Sequence, residues 1–211
     1  MTEVQLDHRD YTVIVAKTAR SVAHAPPGFE ARWTAAYGAI IELIHACEKF
    51  DQDGITLYVS SRDQTKGTFS QHHHVRSDQV EAIVTANFPP TTVDLLEGLQ
   101  LSLEAYFHRK ATGTAKHNGE IIVVLIDGEP HNRSDVVKLL VEASQRIDLD
   151  SELGIGFAQV GDDVLTRGFL KSLDEDLRSS AGAKFDIVHT RVLEQIYPAC
   201  LTEFLRDIIR C

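Results

Sequence analysis

The longest unbroken run of hydrophobic positions in the chain extends from Ile121 to Ile126 and is followed by Asp127 and a turn. Continuous apolar runs of this length are typical of strands that are buried on both faces of a sheet. The pattern therefore predicts a central strand that delivers the carboxylate of Asp127 to a loop. In open parallel sheets, ligands bind at the carboxyl ends of the strands.

Other hydrophobic patterns predict the remaining elements. Short apolar or β-branched segments predict strands at 11–16, 55–60, 154–160 and 185–188, with a weaker edge strand at 65–69. Apolar residues that recur every three or four positions predict helices at 29–50, 93–108, 135–147 and 164–177, and a C-terminal helix, bent at Pro198, at 191–209. Ser77 is predicted to cap a further short helix, and Thr91 or Thr92 lies near the start of the helix at 93–108.

Strands that alternate with helices predict a doubly wound α/β fold with a mostly parallel central sheet and helices on both faces. The weak edge strand is expected to be antiparallel. A chain of 211 residues is long enough for one sizeable core, so we expect a single domain over 1–211. Its core is predicted at about residues 11–190, followed by the C-terminal helix at 191–211.

The composition excludes several kinds of partner and site. The net charge is -10 and there is no run of Lys or Arg, which argues against binding nucleic acid or anionic lipid. No apolar stretch approaches the roughly 18 residues of a membrane span, and no leader pattern is present, so we expect a cytoplasmic protein without membrane insertion. The three cysteines lack the C-x-x-C spacing of a zinc site and do not suggest a disulfide framework.

Motif chemistry narrows the choice further. The loop after the first predicted strand contains no glycine from Ala16 to Val22, so it is neither a dinucleotide-binding turn nor a P-loop. No G-x-S-x-G elbow occurs, and no cysteine follows a strand as a nucleophile would. The three histidines at 72–74 are interpreted as a solvated loop, since consecutive side chains point in different directions. What remains is a site at the carboxyl edge of the sheet.

Several separate motifs, in order, resemble the von Willebrand factor A (integrin I-like) domain, particularly its stand-alone members of intracellular type. The similarity spans Tyr11 to about Thr190. Its most specific pieces are Arg32-Trp33 and the segments 47–58, 125–130, 153–163, 169–174 and 182–188.

The resemblance implies a Mg²⁺-type ion at the top of the sheet, held by three loops and completed by a carboxylate of a partner protein. The second and third loops of the family match here at Thr92 and Asp127. The first loop, which reads D-x-S-x-S in the family, departs from the pattern. The family's Asp falls on Ala16, its first Ser on Thr18 and its second Ser on Arg20.

These departures predict that the metal site of Thr18, Thr92 and Asp127 is weak or vestigial, and that no cofactor is required. A hard dication needs oxygen ligands, including anionic ones, and Ala16 supplies none from its side chain. A guanidinium about 4 to 5 Å from a dication would cost on the order of several kcal/mol. We therefore hypothesise that Arg20 neutralises Asp127 in place of the metal. The alternative is that Arg20 points to solvent and Asp127 caps its own turn.

The resemblance implies a non-enzymatic module that binds another protein through residues 17–28, 89–92 and 127–133. Within this surface, the residues predicted to contact the partner are Arg20, Ser21, Thr91, Glu129 and His131. Two other functions stay open at this point: a Mg²⁺-dependent binding domain with reorganised ligands, and a small hydrolase-like enzyme that uses Asp127 and His131 as an acid/base pair. A further alternative is a structural subunit that forms a homodimer through an apolar helix face.

Overall fold

The computed structural model describes residues 6–18, 29–62, 67–87, 89–196 and 199–210, and in the first helix it describes side chains from residue 36 onward. Within these ranges the strands are β1 (Asp10–Ala16), β2 (Ile55–Ser60), β3 (Phe69–Val75), β4 (Glu120–Ile126), β5 (Leu153–Gln159) and β6 (Val188–Val192). The helices are α1 (Phe29–Glu48), α2 (Val80–Ala86), α3 (Leu95–Thr112), α4 (Arg133–Gln145), α5 (Val164–Asp176), α6 (Leu193–Ile196) and α7 (Leu201–Asp207). Short 3-10 turns occupy Ser77–Gln79 and Asp150–Glu152.

All of these strands belong to one sheet, in the order β3-β2-β1-β4-β5-β6. β1 pairs in parallel with β2 and β4, and β5 pairs in parallel with β4 and β6. β3 runs antiparallel at the edge beside β2. The predicted fold class, a doubly wound α/β fold with a mostly parallel sheet and one antiparallel edge strand, is confirmed.

An apolar core lies on each face of the sheet. Because successive side chains of a strand point to opposite faces, the buried residues of β1 divide between the two cores. Val13 and Val15 pack in the core that contains α1, α2 and α7, whereas Ile14 and Ala16 pack in the core that contains α3, α4 and α5. Helices therefore cover both faces, as expected for parallel strands that are apolar on both sides.

Two glycines of β5 explain how closely the C-terminal helix approaches the sheet. A Cβ atom at Gly154 would lie 2.7 Å from the carbonyl oxygen of Ile208, and one at Gly156 would overlap the Ile208 side chain. Side chains at these positions would push α7 away from β5, so glycine is required there by packing. None of the helices that the structure describes is long and apolar enough to cross a membrane.

The edge of the sheet differs from the sequence prediction. The weak strand predicted at 65–69 is wrong, because the observed strand β3 begins at Phe69 and continues through the three histidines to Val75. The interpretation of those histidines as a solvated loop is wrong for the same reason. An edge strand exposes much of its side-chain surface, so its apolar pattern is weak. His74, with φ of 54°, lies near its end.

Several element boundaries also need correction. The last strand begins at Val188, and residues 191 and 192 belong to it, so the predicted single C-terminal helix is replaced by the short helices α6 and α7. Pro198, where the bend was predicted, lies outside the described residues.

The helix caps also differ from the prediction. Ser77 does not cap its helix, because its N–H and hydroxyl both donate to Glu48. The cap of α3 is Asp94, which accepts from the N–H of Glu97 at 3.3 Å.

Candidate functional site

The strand order leaves a crevice at the carboxyl ends of β1 and β4. From β1 the chain moves outward to β2 and β3, and from β4 it moves outward in the opposite direction to β5 and β6. The loops that follow these two strands therefore diverge, and ligands bind at such points in open α/β sheets. Thr18 lies two residues beyond β1, and Asp127 directly follows β4. The fold thus places both residues at this crevice.

Thr18 holds the carboxylate of Asp127 with both of its donors. Its backbone N–H nitrogen lies 3.3 and 3.2 Å from the two carboxylate oxygens, and its hydroxyl oxygen lies 3.1 Å from each. Asp127 is 9% exposed, and a buried carboxylate is costly unless its oxygens accept hydrogen bonds or pair with cations. Direct hydrogen bonds therefore join the loop after β4 to the loop after β1.

The residue before Thr18 is held by two further elements. Ser60, at the end of β2, donates its hydroxyl to the carbonyl oxygen of Lys17 at 2.7 Å. The Nζ atom of Lys17 donates to the hydroxyl of Tyr37, on α1, at 2.6 Å and lies 4.8 Å from the centroid of that ring. Contacts from β2, α1 and the loop after β4 thus position residues 17 and 18.

A cleft of about 940 Å³ opens at this edge of the sheet. It lies between the end of β1, the segment before α3, the loop into α4 and the start of α5. Its lining consists of Ala16, Thr18, Thr91, Thr92, Val93, Leu95, Ile126, residues 128–135, Asp163 and Leu165. Ligand pockets typically measure roughly 300 to 1,000 Å³, so the cleft is large enough for a small molecule or for several side chains of a partner.

The loops predicted to form one surface do meet around this cleft. Thr91 and Thr92 line it from the side of α3, and Glu129 and His131 line it from the loop after β4. Thr91, Thr92 and His131 are exposed, and Glu129 is half-buried. The structure therefore brings these residues together with Thr18 around one cleft, as a single binding surface requires.

Two predicted contact residues cannot be placed. Arg20 and Ser21 lie outside the described residues. The hypothesis that the Arg20 guanidinium neutralises Asp127 therefore stays a prediction. Of the predicted surface at 17–28, only residues 17 and 18 are described.

The charged groups of the cleft wall have partners nearby. Glu129 forms an ion pair with Arg133, four residues further along the chain at the start of α4. The guanidinium carbon of Arg133 lies 5.8 Å from the centroid of the Phe169 ring. Asp163 caps α5, since its Oδ1 atom accepts from the N–H and the hydroxyl of Thr166 at 2.7 Å each. These contacts pair the charged side chains with neighbouring residues and hold the cleft wall in place.

An apolar rim borders the cleft at the start of α5, and the sequence analysis missed it. Val164 is 75% exposed and Leu165 is 64% exposed, and Leu165 lines the cleft. The buried face of α5 is formed by Thr166, Phe169, Leu170 and Leu173. Two large apolar residues directly after the helix cap, off that face, were the signal that could have identified the rim.

Among the described residues, few anionic ligands for a hard dication lie at the carboxyl ends of β1 and β4. Ala16, at the position of the family's first-loop Asp, is 1% exposed and has no side-chain oxygen. Both carboxylate oxygens of Asp127 accept hydrogen bonds from Thr18. No group of three His, Cys, Asp or Glu side chains in the described part of the chain is placed to hold a metal ion. Mg²⁺ prefers a nearly octahedral oxygen shell, and the described residues at these strand ends supply only part of one.

A second polar cluster, which the sequence analysis also missed, lies at the opposite edge of the sheet. We call it the amino-edge network; its members are Asp10, Asp51, Asp53, Arg109, Lys116 and Glu120. Glu120 begins β4, is fully buried and forms an ion pair with Arg109. Thr12 donates its hydroxyl to the other oxygen of Glu120 at 2.6 Å. Burial raises the pKa of Glu120 to about 7, and the charge of Arg109 opposes that shift.

Lys116 organises the second half of the amino-edge network. It forms ion pairs with Asp51, which is 2% exposed, and with Asp53. Burial raises the pKa of Asp51, whereas hydrogen bonds from Asp51 and Lys116 lower the pKa of Asp53. The two carboxyl groups thus share the cation of Lys116.

Comparisons with known proteins inform the fold. Protein-family models give no match to this chain, and curated proteins give none either. Among solved structures, the chain is similar to the pilus adhesin SpaC from Lactobacillus rhamnosus GG, with a TM-score of 0.54 and 11% sequence identity. The likeness covers 96% of this chain, which spans 30% of the length of that adhesin chain. At this identity the likeness shows the fold alone.

Proposed function

We propose that this chain is a non-enzymatic protein-interaction module of the von Willebrand factor A type that binds its partner at the cleft without a metal ion. The direct contact between Thr18 and Asp127 carries the proposal. Since the hydrogen bonds of Thr18 engage both oxygens of that carboxylate, the two loops are joined where the family would use a metal. This contact fixes Thr18 and Asp127 relative to each other before a partner binds, which lowers the entropic cost of ordering them.

The apolar rim supports a protein as the partner. Val164 and Leu165 are large apolar side chains that are 75% and 64% exposed, and Leu165 lines the same cleft as Thr91 and Thr92. Protein interfaces commonly combine an apolar centre with a polar surround. A partner side chain packed on Leu165 would remove apolar surface from water, which is the main favourable term in association.

The geometry favours binding over acid/base catalysis. His131 is exposed and forms no hydrogen bond or ion pair with any residue that the structure describes. The described hydrogen bonds pair Asp127 with Thr18 and not with His131, so no observation supports these two residues as an acid/base pair. We therefore do not propose an enzymatic role for the pair Asp127 and His131. The cytoplasmic location of the complex stays a prediction.

Affinity capture with matched baits tests this proposal. The wild-type chain and the variants Leu165→Asp and Leu149→Asp would be immobilised at equal density, with and without EDTA. Leu149 is a suitable control because it is also 64% exposed and precedes β5, at the other edge of the sheet. We expect one specific partner to be retained by the wild type and by Leu149→Asp, to be lost from Leu165→Asp, and to be unaffected by EDTA.

Two outcomes would contradict the proposal. Loss of the partner in EDTA, with restoration by Mg²⁺, would favour the metal-dependent alternative. Equal capture by Leu165→Asp and the wild type would show that the cleft is not the binding surface. Thermal unfolding of each bait, measured beforehand, separates these results from a loss of folded protein.

A further inference from the structure

The first half of α5 turns one set of residues toward solvent and another toward the core. Its buried residues are Thr166, Phe169, Leu170 and Leu173. Successive residues of a helix are about 100° apart around its axis, so these four share one side. The opposite side is exposed, and we call five of its residues the α5 ridge: Val164, Leu165, Arg167, Gly168 and Lys171.

The ridge begins with two exposed apolar side chains. Val164 is 75% exposed and Leu165 is 64% exposed. Apolar residues scattered singly over a surface are normal, whereas adjacent ones rimmed by polar residues mark interaction sites. Leu165 also lines the cleft. The ridge is therefore continuous with the surface that we propose for partner binding.

Gly168 lies on the same exposed side without a packing reason from the described residues. A Cβ atom at Gly98, the glycine of α3, would lie 2.9 Å from the ring of Phe69, so packing excludes a side chain there. A Cβ atom at Gly168 would meet no heavy atom beyond its own helix within 4 Å, and Gly168 does not have a positive φ. Glycine is disfavoured inside a helix. What it offers at an exposed position is close approach of another backbone.

The charges of the ridge are positive. Residues 164–173 contain Arg167 and Lys171 and no acid, although the chain as a whole has 31 acidic and 21 basic residues. The Nζ atom of Lys171 lies 3.6 Å from Glu175, whereas close charged pairs are about 2.7 to 2.9 Å apart. Arg167 forms no ion pair with any acid in the described ranges. Charge complementarity therefore favours an acidic partner segment.

The order of these residues around the axis suits a second helix. At 100° per residue, Gly168 lies between Leu165, on the cleft side, and Arg167 on the other side. Packed helices lie about 8 to 10 Å apart, depending on the side chains at the contact, and a glycine permits the closer approach. A helix that crosses α5 at Gly168 would place apolar side chains on Leu165 and carboxylates beside Arg167. Amphipathic helices carry these two kinds of side chain on adjoining faces.

We propose that the α5 ridge binds an acidic amphipathic helix of the partner protein. Its apolar side chains pack on Val164 and Leu165, its backbone crosses at Gly168, and its carboxylates pair with Arg167 and Lys171. This inference rests on the proposed function, since it specifies the chemistry of the partner that binds beside the cleft. An extended segment and a second copy of this chain are the other occupants that the experiment distinguishes.

Selection from a displayed library of helical peptides tests the ridge without a known partner. The library carries Glu and Lys equally often at its randomised polar positions, and the immobilised wild-type chain is the bait. We expect the enriched peptides to contain more Glu than Lys, to bind saturably, and to gain helical circular dichroism when bound. The double variant Arg167→Glu/Lys171→Glu should weaken their binding by about tenfold.

Substitutions of Gly168 separate binding from folding. Gly168→Ala should raise the midpoint of thermal unfolding by about 2 to 4 °C, because alanine favours the helix. The same change should weaken peptide binding by about fivefold, since it adds a methyl group at the crossing point. Gly168→Leu should abolish binding in a folded chain. Glu104→Leu, on the exposed side of α3, is the control and should leave binding unchanged.

Four results would overturn the proposal: no enriched peptide that binds saturably, an excess of Lys in the enriched peptides, equal binding by Gly168→Leu and the wild type, or peptides that stay extended when bound. Sedimentation equilibrium of the wild type would also overturn it by revealing a dimer that Gly168→Leu dissociates, since the occupant would then be a second copy.

The capture experiment described above keeps this inference distinct from the proposed function. A partner that is lost from Leu165→Asp but retained by Arg167→Glu/Lys171→Glu and by Gly168→Leu would overturn the α5 ridge as its helix-binding site and leave the proposed function standing. Equal capture by Leu165→Asp and the wild type would contradict the proposed function itself.

Discussion

At the amino edge of the sheet, buried carboxylates pair with cations of the same chain, whereas at the carboxyl edge the cleft exposes hydroxyl groups and large apolar side chains. Glu120 is fully buried and paired with Arg109. Leu165, at the cleft, is 64% exposed. One sheet thus carries two very different edges.

Folding constrains the two edges unequally. A buried charge that loses its partner destabilises the whole fold, so the amino-edge network is constrained by folding. Exposed side chains at the cleft affect folding little when they are replaced, so that edge can be shaped by binding. Substitutions at the two edges should accordingly separate stability from partner recognition.

The largest effect is expected from Arg109→Met. This change leaves the buried carboxylate of Glu120 without its cation, so we expect the free energy of unfolding to fall by about 3 to 5 kcal/mol. Urea denaturation at pH 8 measures it. The double variant Arg109→Met/Glu120→Gln should recover part of the loss, because no unpaired buried charge remains. A loss below about 1 kcal/mol in the single variant would show that the amino edge is not held by this pair.

Glu120→Gln should change how stability depends on pH. The pKa of Glu120 is about 7 in the folded chain, against an ordinary value of 4.5. A raised pKa gives stability that is fully present below the unfolded value and is lost as the pH rises through the folded value. The stability of the wild type relative to the variant should therefore fall by about 3 kcal/mol between pH 4.5 and pH 8.

The control for this experiment is Glu104→Gln on the exposed side of α3. Its stability relative to the wild type should be nearly constant over the same pH range. Urea denaturation at several pH values measures both variants. A constant difference between the wild type and Glu120→Gln would contradict the idea that the amino edge contains a carboxyl group protonated near neutral pH.

Thr18→Val should have a smaller effect, because it removes one donor and keeps the other. The hydroxyl bond to Asp127 is lost, whereas the backbone N–H still donates. We expect a loss of about 1 kcal/mol in the free energy of unfolding. Thr91→Val, at an exposed cleft residue, should stay within about 0.5 kcal/mol of the wild type. Equal losses in the two variants would show that the Thr18 contact does not join the loops.

The smallest effect is expected from magnesium. If the loops are joined by direct hydrogen bonds, 10 mM Mg²⁺ should shift the thermal midpoint no more than NaCl of the same ionic strength. A site with a dissociation constant of about 10 μM would instead stabilise the fold by about 4 kcal/mol at that concentration. Differential scanning calorimetry distinguishes these cases, and a large stabilisation would restore the metal-dependent alternative.

The sequence predicted the centre of the sheet well and its edges poorly. The strands at 11–16, 55–60 and 121–126 were placed within one residue of β1, β2 and β4, because strands buried on both faces leave long apolar runs. β3 and β6 were misplaced, since edge strands have mixed polarity. Asp127 was predicted to lie at the carboxyl edge because it follows a central strand, and the family resemblance added Thr18 to the same site.

The amino-edge network could not be predicted in the same way. Each of its acids, taken alone, resembles a solvated residue at the end of a strand or in a turn. Only the pairing of Asp10 with Glu120 in the register of β1 and β4, together with Arg109 from α3, shows that these charges meet. The apolar rim was missed because Val164 and Leu165 were assigned to the helix without asking which of its faces they occupy.

The central strand pair also determines the order in which the molecule can be assembled. β1 pairs with β2 from the same third of the chain, but its other neighbour, β4, begins 110 residues after β1 does. Contacts between such distant segments form slowly, and during synthesis one side of β1 has no strand to pair with until β4 has emerged from the ribosome. The Thr18 contact and the Glu120 pair both require that late step, so both edges mature together.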